Sequence, residues 1–154
     1  MLRDASGRGE RGMALAVAVF ALAVMGGLVA GNFVAGMLEQ QSGRNMMYAL
    51  QAAEAAEAEI AEALATVPAG PLSSLLPGAT ASLSDVSSPG MAVERSVVRL
   101  TDRLFLIRAR ARRLDADGSS LATRSLGFLV QLATDSSGGA AVLPLTRRPW
   151  VQLY

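Results

Sequence analysis

From Met13 to Leu38 the chain runs 26 residues without a charged side chain, and Asn32 is the one strongly polar residue among them. Coiled as an α-helix, such a run is about 39 Å long at 1.5 Å per residue. The hydrocarbon core of a bilayer is roughly 30 Å thick. The run therefore spans a membrane with some tilt, or overhangs it at one end. Arg3, Arg8 and Arg11 precede it; after it, Glu39 comes first and Arg44 comes next. Arginine on the near side predicts a cytoplasmic N-terminus, with everything beyond Leu38 outside the cytoplasm.

The chain has few residues suited to catalysis. Its 154 residues include no cysteine and no histidine. Disulfides, thiolate zinc sites and cysteine nucleophiles are excluded. So are the commonest general base and metal ligand, and with them Ser-His-Asp catalysis. Carboxylates, hydroxyls and arginine remain, and no convergent catalytic set stands out among them. The sequence thus predicts a chain that is not an enzyme and has no cofactor or metal. A net charge of +1 gives no global electrostatic case for nucleic acid.

The helical pattern continues past the apolar run. From Arg44 to about Thr66 the residues are mostly alanine, glutamate, leucine and methionine, with no proline. Met46, Leu50, Ala53, Ile60, Leu64 and Val67 fall on a seven-residue repeat, broken by Glu57, and predict one apolar stripe. In the continuous helix from Met13 to Thr66, Ser42-Gly43 is a soft spot, and Pro68 and Gly70 mark the helix end. Residues 67–90, rich in Pro, Gly, Ser and Ala, read as a connecting loop pinned by Leu72, Leu75 and Leu76.

From Met91 the period changes to two. Val93–Leu100 reads as a strand. In Arg103–Leu114, Phe105, Ile107, Ala109 and Ala111 alternate with Leu106, Arg108, Arg110 and Arg112, giving an apolar and a basic face. Leu121–Leu132 is the next strand, with Leu126, Phe128, Val130 and Leu132 on one side. Ala141–Leu145 and Trp150–Tyr154 add short strands. Asp115-Ala116-Asp117-Gly118 and Ser136-Ser137-Gly138-Gly139 are turns. The fold class is α+β: a long N-terminal helix over 13–66, transmembrane over 13–38, packed on a small antiparallel sheet of three or four strands in 91–154. The C-terminal half of the helix is the available cover for that sheet.

A short basic leader ending in glycine, with a long apolar helix directly after it, stands at Arg11-Gly12-Met13-Ala14-Leu15. It resembles type IV prepilins and the pseudopilins of type II secretion. The resemblance makes residues 1–12 the leader, cut after Gly12 by prepilin peptidase, with Met13 the first mature residue. The fifth mature residue is then Val17, where most prepilins carry glutamate. This departure, and the segment Gln51-Ala52-Ala53-Glu54-Ala55-Ala56, are similar to PilX-type minor pilins. The K-type pseudopilin shares the missing glutamate but carries a larger head. The likeness covers roughly residues 8–60. It implies a subunit that waits in the inner membrane and then enters a pilus or pseudopilus, head outward. Its partners would be other pilins or pseudopilins, prepilin peptidase and inner-membrane lipid. The missing glutamate implies a tip or priming position.

Several residues carry two readings. Gly26-Gly27 is either a place where the helix melts in a filament or a close-packing contact. Asn32 makes an interhelical hydrogen bond or lies at the headgroup boundary. Arg108, Arg110 and Arg112 against Glu54, Glu57, Glu59 and Glu62 pair between subunits or are solvated faces. Asp115–Ser119 is a hairpin turn or a calcium loop lacking its distal glutamate. Trp150 and Tyr154 cap the sheet or meet a partner. Two rival functions stand beside the pilin: a signal-anchored envelope protein whose head binds a partner, and a secreted head released near Val29-Ala30-Gly31.

Overall fold

The structure, a computed structural model, describes residues 7–67, 69–134, 140–147 and 149–153; for residues 7–12 and 71 it describes the backbone alone. Residues 1–6 of the expected leader, Pro68, the expected turn at 136–139 and Tyr154 lie outside the described residues. One helix, α1, covers Gly7–Thr66, and the short α2, Ala69–Ser73, comes after it. The described residues also form seven strands: β1 Thr80–Ser82, β2 Val86–Ser88, β3 Met91–Arg99, β4 Leu104–Leu114, β5 Ser120–Thr134, β6 Ala140–Pro144 and β7 Trp150–Leu153. The architecture is α+β, as the periodicities predict. The chain divides into two compact units, one ending at Arg44 and the other beginning at Asn45.

In the first unit α1 is uninterrupted through Gly26, Gly27, Gly31 and Gly36, and helix also runs through Ser42-Gly43. The helix begins upstream of Met13, inside the expected leader. Once a helix is nucleated, each added residue brings one more hydrogen bond, so extension by a turn needs no special signal.

In the second unit the sheet is antiparallel, with β1-β3-β4-β5-β6 in order, β2 also on β3 and β7 also on β5. Three strands form its centre. Val97 faces Ile107 across β3–β4, and Ile107 faces Phe128 across β4–β5. Val93, Val97, Phe105, Ile107, Ala109, Ala111, Leu126, Phe128 and Val130 make one buried face. Helix residues Ala52, Ala56, Ile60 and Ala63 close the core over it, with Leu72 of α2 at its margin. Trp150 meets Phe128 edge-on, with ring centroids 4.8 Å apart.

The expected helix stripe is buried only toward its C-terminal end, where Ile60 is enclosed and Leu64 and Val67 pack against the core. Met46 and Leu50 are exposed, while Ala52, Ala56, Ile60 and Ala63 are almost fully enclosed. Hydrophobic periodicity favours the large side chains. The packing instead selects three alanines around one isoleucine, because small residues let a helix approach a sheet already filled by Phe105 and Ile107.

The segment 67–90 is also not a plain loop. It holds α2 and two short strands that both edge β3. Its fastening is polar as well as apolar. The Arg99 guanidinium donates to the carbonyls of Ser73 (3.1 Å), Leu75, Thr101 (3.1 Å) and Asp102 (3.0 Å), and lies over the Phe105 ring. Leu72 and Leu75 pack on the core as expected, but Leu76 is exposed. Gly90 turns the chain from β2 into β3 with φ +73°; a Cβ there would stand 2.1 Å from Arg113 Nη1, which donates to the Gly90 carbonyl.

Ile60→Ala is expected to destabilise the second unit by about 2–5 kcal/mol through lost burial and a cavity. Ala56→Leu is expected to cost about 1–3 kcal/mol through overpacking. Denaturant titration in micelles checks both, with the chain's one tryptophan, Trp150, as reporter.

Candidate functional site

One exposed surface and one buried polar junction stand out. The first is the apolar stretch of α1. Met13, Leu15, Val17, Val19, Phe20 and Leu22 are all exposed, and so are the apolar residues onward to Leu38. The helix is long and apolar enough to cross a membrane, with a mean hydropathy of 2.5 in its most apolar window and none of that window buried. Gly12 and Met13 are consecutive helical residues. Met13, Ala14, Val17, Ala18 and Ala21 line one shallow apolar depression, so the expected first and fifth mature residues share a face. Gly26 and Gly27 lie in helix with open space around their Cα atoms, and Asn32 is exposed. No functional contact is made at these positions among the described residues. What they present is surface.

The second is the polar system around Arg95 in the second unit. Its place is set by strand parity: Arg95 lies between Val93 and Val97 on the buried side of β3, and only 8% of it is exposed. The opposite residue on β4 is Ala109, whose small side chain leaves room for the guanidinium. Arg95 Nη1 stands 3.0 Å from Glu59 Oε2 and 3.8 Å from Glu62 Oε2 of α1. Its Nε donates to the Ser84 carbonyl at 2.8 Å and its Nη2 to Ser84 Oγ at 2.6 Å. Ser84 lies between β1 and β2, where residues 83–85 oppose 94–95 and the edge bulges. One cation therefore ties the helix, the third strand and the sheet edge together. The Glu59 contact is a close ion pair without hydrogen-bond alignment, and Glu59 Oε2 has no other partner.

The acidic and basic stripes are thus partly consumed inside the chain. Glu59 and Glu62 meet Arg95, and Arg112 meets Glu94 of β3 at 2.9 Å. This corrects the expectation that treated each stripe as a whole, either solvated or pairing between subunits. Glu54, Glu57, Arg108 and Arg110 stay exposed. Arg95 is the site residue that periodicity and motifs did not single out. Its alternation with Val93 and Val97 could have revealed it; its partners could not be read that way.

The Asp115–Ser119 segment is a hairpin turn held by its own backbone. Asp115 Oδ1 accepts from Ala116 N at 2.7 Å and Asp117 Oδ1 from Ser119 N at 2.8 Å, and Gly118 has φ +84°. The backbone N–H of Ser119, and then its side chain, hold the Asp117 carboxyl below its ordinary value of 3.8. No group of three or more acidic side chains among the described residues is placed to hold a metal ion.

Arg95→Met is expected to destabilise the second unit by about 3 kcal/mol, because it strands the Glu59 carboxylate. The Arg95→Met/Glu59→Met pair is expected to recover most of that loss; a double-mutant cycle on the Trp150 unfolding transition checks it. Asp117 is expected to titrate below 3.8 by carboxyl NMR. Since its folded value is depressed, the turn's contribution is present above pH 3.8 and is lost as pH falls through that folded value.

With both in view, no family model, no curated protein and no solved structure matches this chain, and its function is argued from its own residues.

Proposed function

We propose that this chain is a minor pilin-like structural subunit of the PilX type, which primes or caps a type IV pilus-like filament after prepilin peptidase cuts between Gly12 and Met13. The observation that carries the proposal is the division of labour along α1. Its apolar stretch is exposed throughout, while Ala52, Ala56, Ile60 and Ala63 close a sheet core. An exposed apolar surface of this length needs either lipid or other apolar helices around it. A subunit that moves from membrane to filament uses the first and then the second.

Val17 sharpens the role. A carboxylate at that position would be costly among packed apolar helices unless a neighbouring subunit's amine paired with it. Valine removes both the cost and the pair. That suits a subunit at the start or end of a filament, where that pair is not made. On this reading the chain is not an enzyme and needs no cofactor. Its apolar helix meets inner-membrane lipid and then other pilins or pseudopilins, its N-terminus faces the cytoplasm, and its head lies outside.

The intact mass of the protein, taken from its native host or from cells with a prepilin peptidase, tests this. The expected mature chain begins at Met13, with or without one methyl group on its amine. A chain retaining residues 1–12 would instead be a plain membrane anchor, and one starting near Asn32 a secreted head; either would overturn the proposal.

A further inference from the structure

Arg108 and Arg110 stand on the same face of β4, two residues apart, and that face is the one turned away from the core. Their cross-strand neighbours are small or already engaged. Arg108 lies between Ser96 and Gly127, and Arg110 between Glu94 and Ser125. Glu94, the one acid directly opposite either arginine, gives its Oε1 to Arg112. Neither Arg108 nor Arg110 has a hydrogen-bond or ion-pair partner among the described residues. Because their neighbours are short, the two arginines line an open groove of about 400 Å³ with Ser82, Ser96, Ser125 and Leu153. Two acids also line it: Asp85, and Glu94, which Arg112 holds.

The opposite side of the same unit has the complementary pattern. Glu54 and Glu57 are exposed on α1, off the buried stripe of Ala52, Ala56 and Ile60, and neither has a partner among the described residues. Helical residues three apart hold their Cβ atoms about 5–6 Å from each other. Strand residues two apart are about 6.8 Å from each other. The two pairs are opposite in sign and nearly matched in spacing. Within one chain they cannot meet, because the sheet and its core lie between them.

We propose that the Arg108/Arg110 groove receives Glu54 and Glu57 of a second copy of this chain. This deepens the assembly reading and rests on it for its biological setting. The two patches lie on opposite faces, so the contact is head-to-tail and not two-fold. A head-to-tail contact generates a ring or an open helical array. Charge complementarity of this kind sets register and partner choice more than raw affinity.

The test uses the full chain in detergent micelles. The native sequence has no cysteine, so Ala58→Cys with Ser125→Cys supplies the only thiols, one beside each patch. Mild oxidation is expected to give a ladder of disulfide-linked oligomers, weakened by raised salt. Arg108→Glu/Arg110→Glu, or Glu54→Arg/Glu57→Arg, is expected to reduce the ladder several-fold. A mixture of the two swapped chains restores opposite charges at every contact and is expected to restore it. Arg108→Gln/Arg110→Gln gives the same loss without introducing acid, and the Trp150 unfolding midpoint confirms that each variant folds. A parent chain that forms no ladder, a ladder indifferent to both swaps, or a mixture that fails to recover would overturn the proposal. The start of the mature chain is read separately by mass. Processing at Met13 with a charge-insensitive ladder would sink this contact alone; a charge-sensitive ladder on an unprocessed chain would sink the filament reading alone.

Discussion

The sheet of the second unit has one apolar face, and the rest of that unit depends on its being covered. Val97, Phe105, Ile107, Phe128 and Val130 cannot remain in water without giving up the burial that drives the strands together. The cover is a stretch of α1 that is mostly alanine. Alanine contributes little apolar area of its own, but it lets the helix backbone come close. The large side chains then come chiefly from the sheet, with Ile60 of α1 and Leu72 of α2. A cover of this kind is sensitive to added volume as well as to lost volume.

Close approach of helix and sheet also explains the buried arginine. Arg95 sits on the covered face of β3 and would be an unpaired charge if α1 did not bring Glu59 and Glu62 to it. Burial of one cation is tolerable where the pair and the Ser84 hydrogen bonds satisfy it together. The same contacts hold the bulged edge formed by β1 and β2. Arg99 does similar work at the other end of β3, where it gathers carbonyls from the α2 end and from the β3–β4 turn. Two arginines on one strand thus fasten the sheet to the helix, to its bulged edge and to the α2 end.

The functional surfaces are what this core leaves over. Charges used internally, such as Glu59, Glu62, Glu94 and Arg112, are not free to meet another molecule. Glu54, Glu57, Arg108 and Arg110 have no hydrogen-bond or ion-pair partner among the described residues, and they lie on opposite faces of the unit. The apolar stretch of α1 likewise has no cover among the described residues.

Much of this was legible in the sequence. The uncharged run from Met13 to Leu38 dictates a membrane-length helix, because no charged group interrupts it. Alternation in Arg103–Leu114 and Leu121–Leu132 determined which faces of β4 and β5 are buried, because strand side chains alternate strictly. The turn at Gly118 rests on a φ value that other residues rarely adopt. What only the tertiary structure decided was partner choice. Met46 and Leu50 lie outside the core while Ala52 and Ala56 close it, because fit to a filled sheet outweighs side-chain hydrophobicity. The segment 67–90 gains two strands because β3 offers an unpaired edge, a template that local composition cannot reveal. Arg95 became a junction because residues 59, 62, 84 and 95, distant along the chain, converge only when the helix lies on the sheet. Local periodicity specifies which side of an element is apolar; the packing of whole elements determines what each side meets.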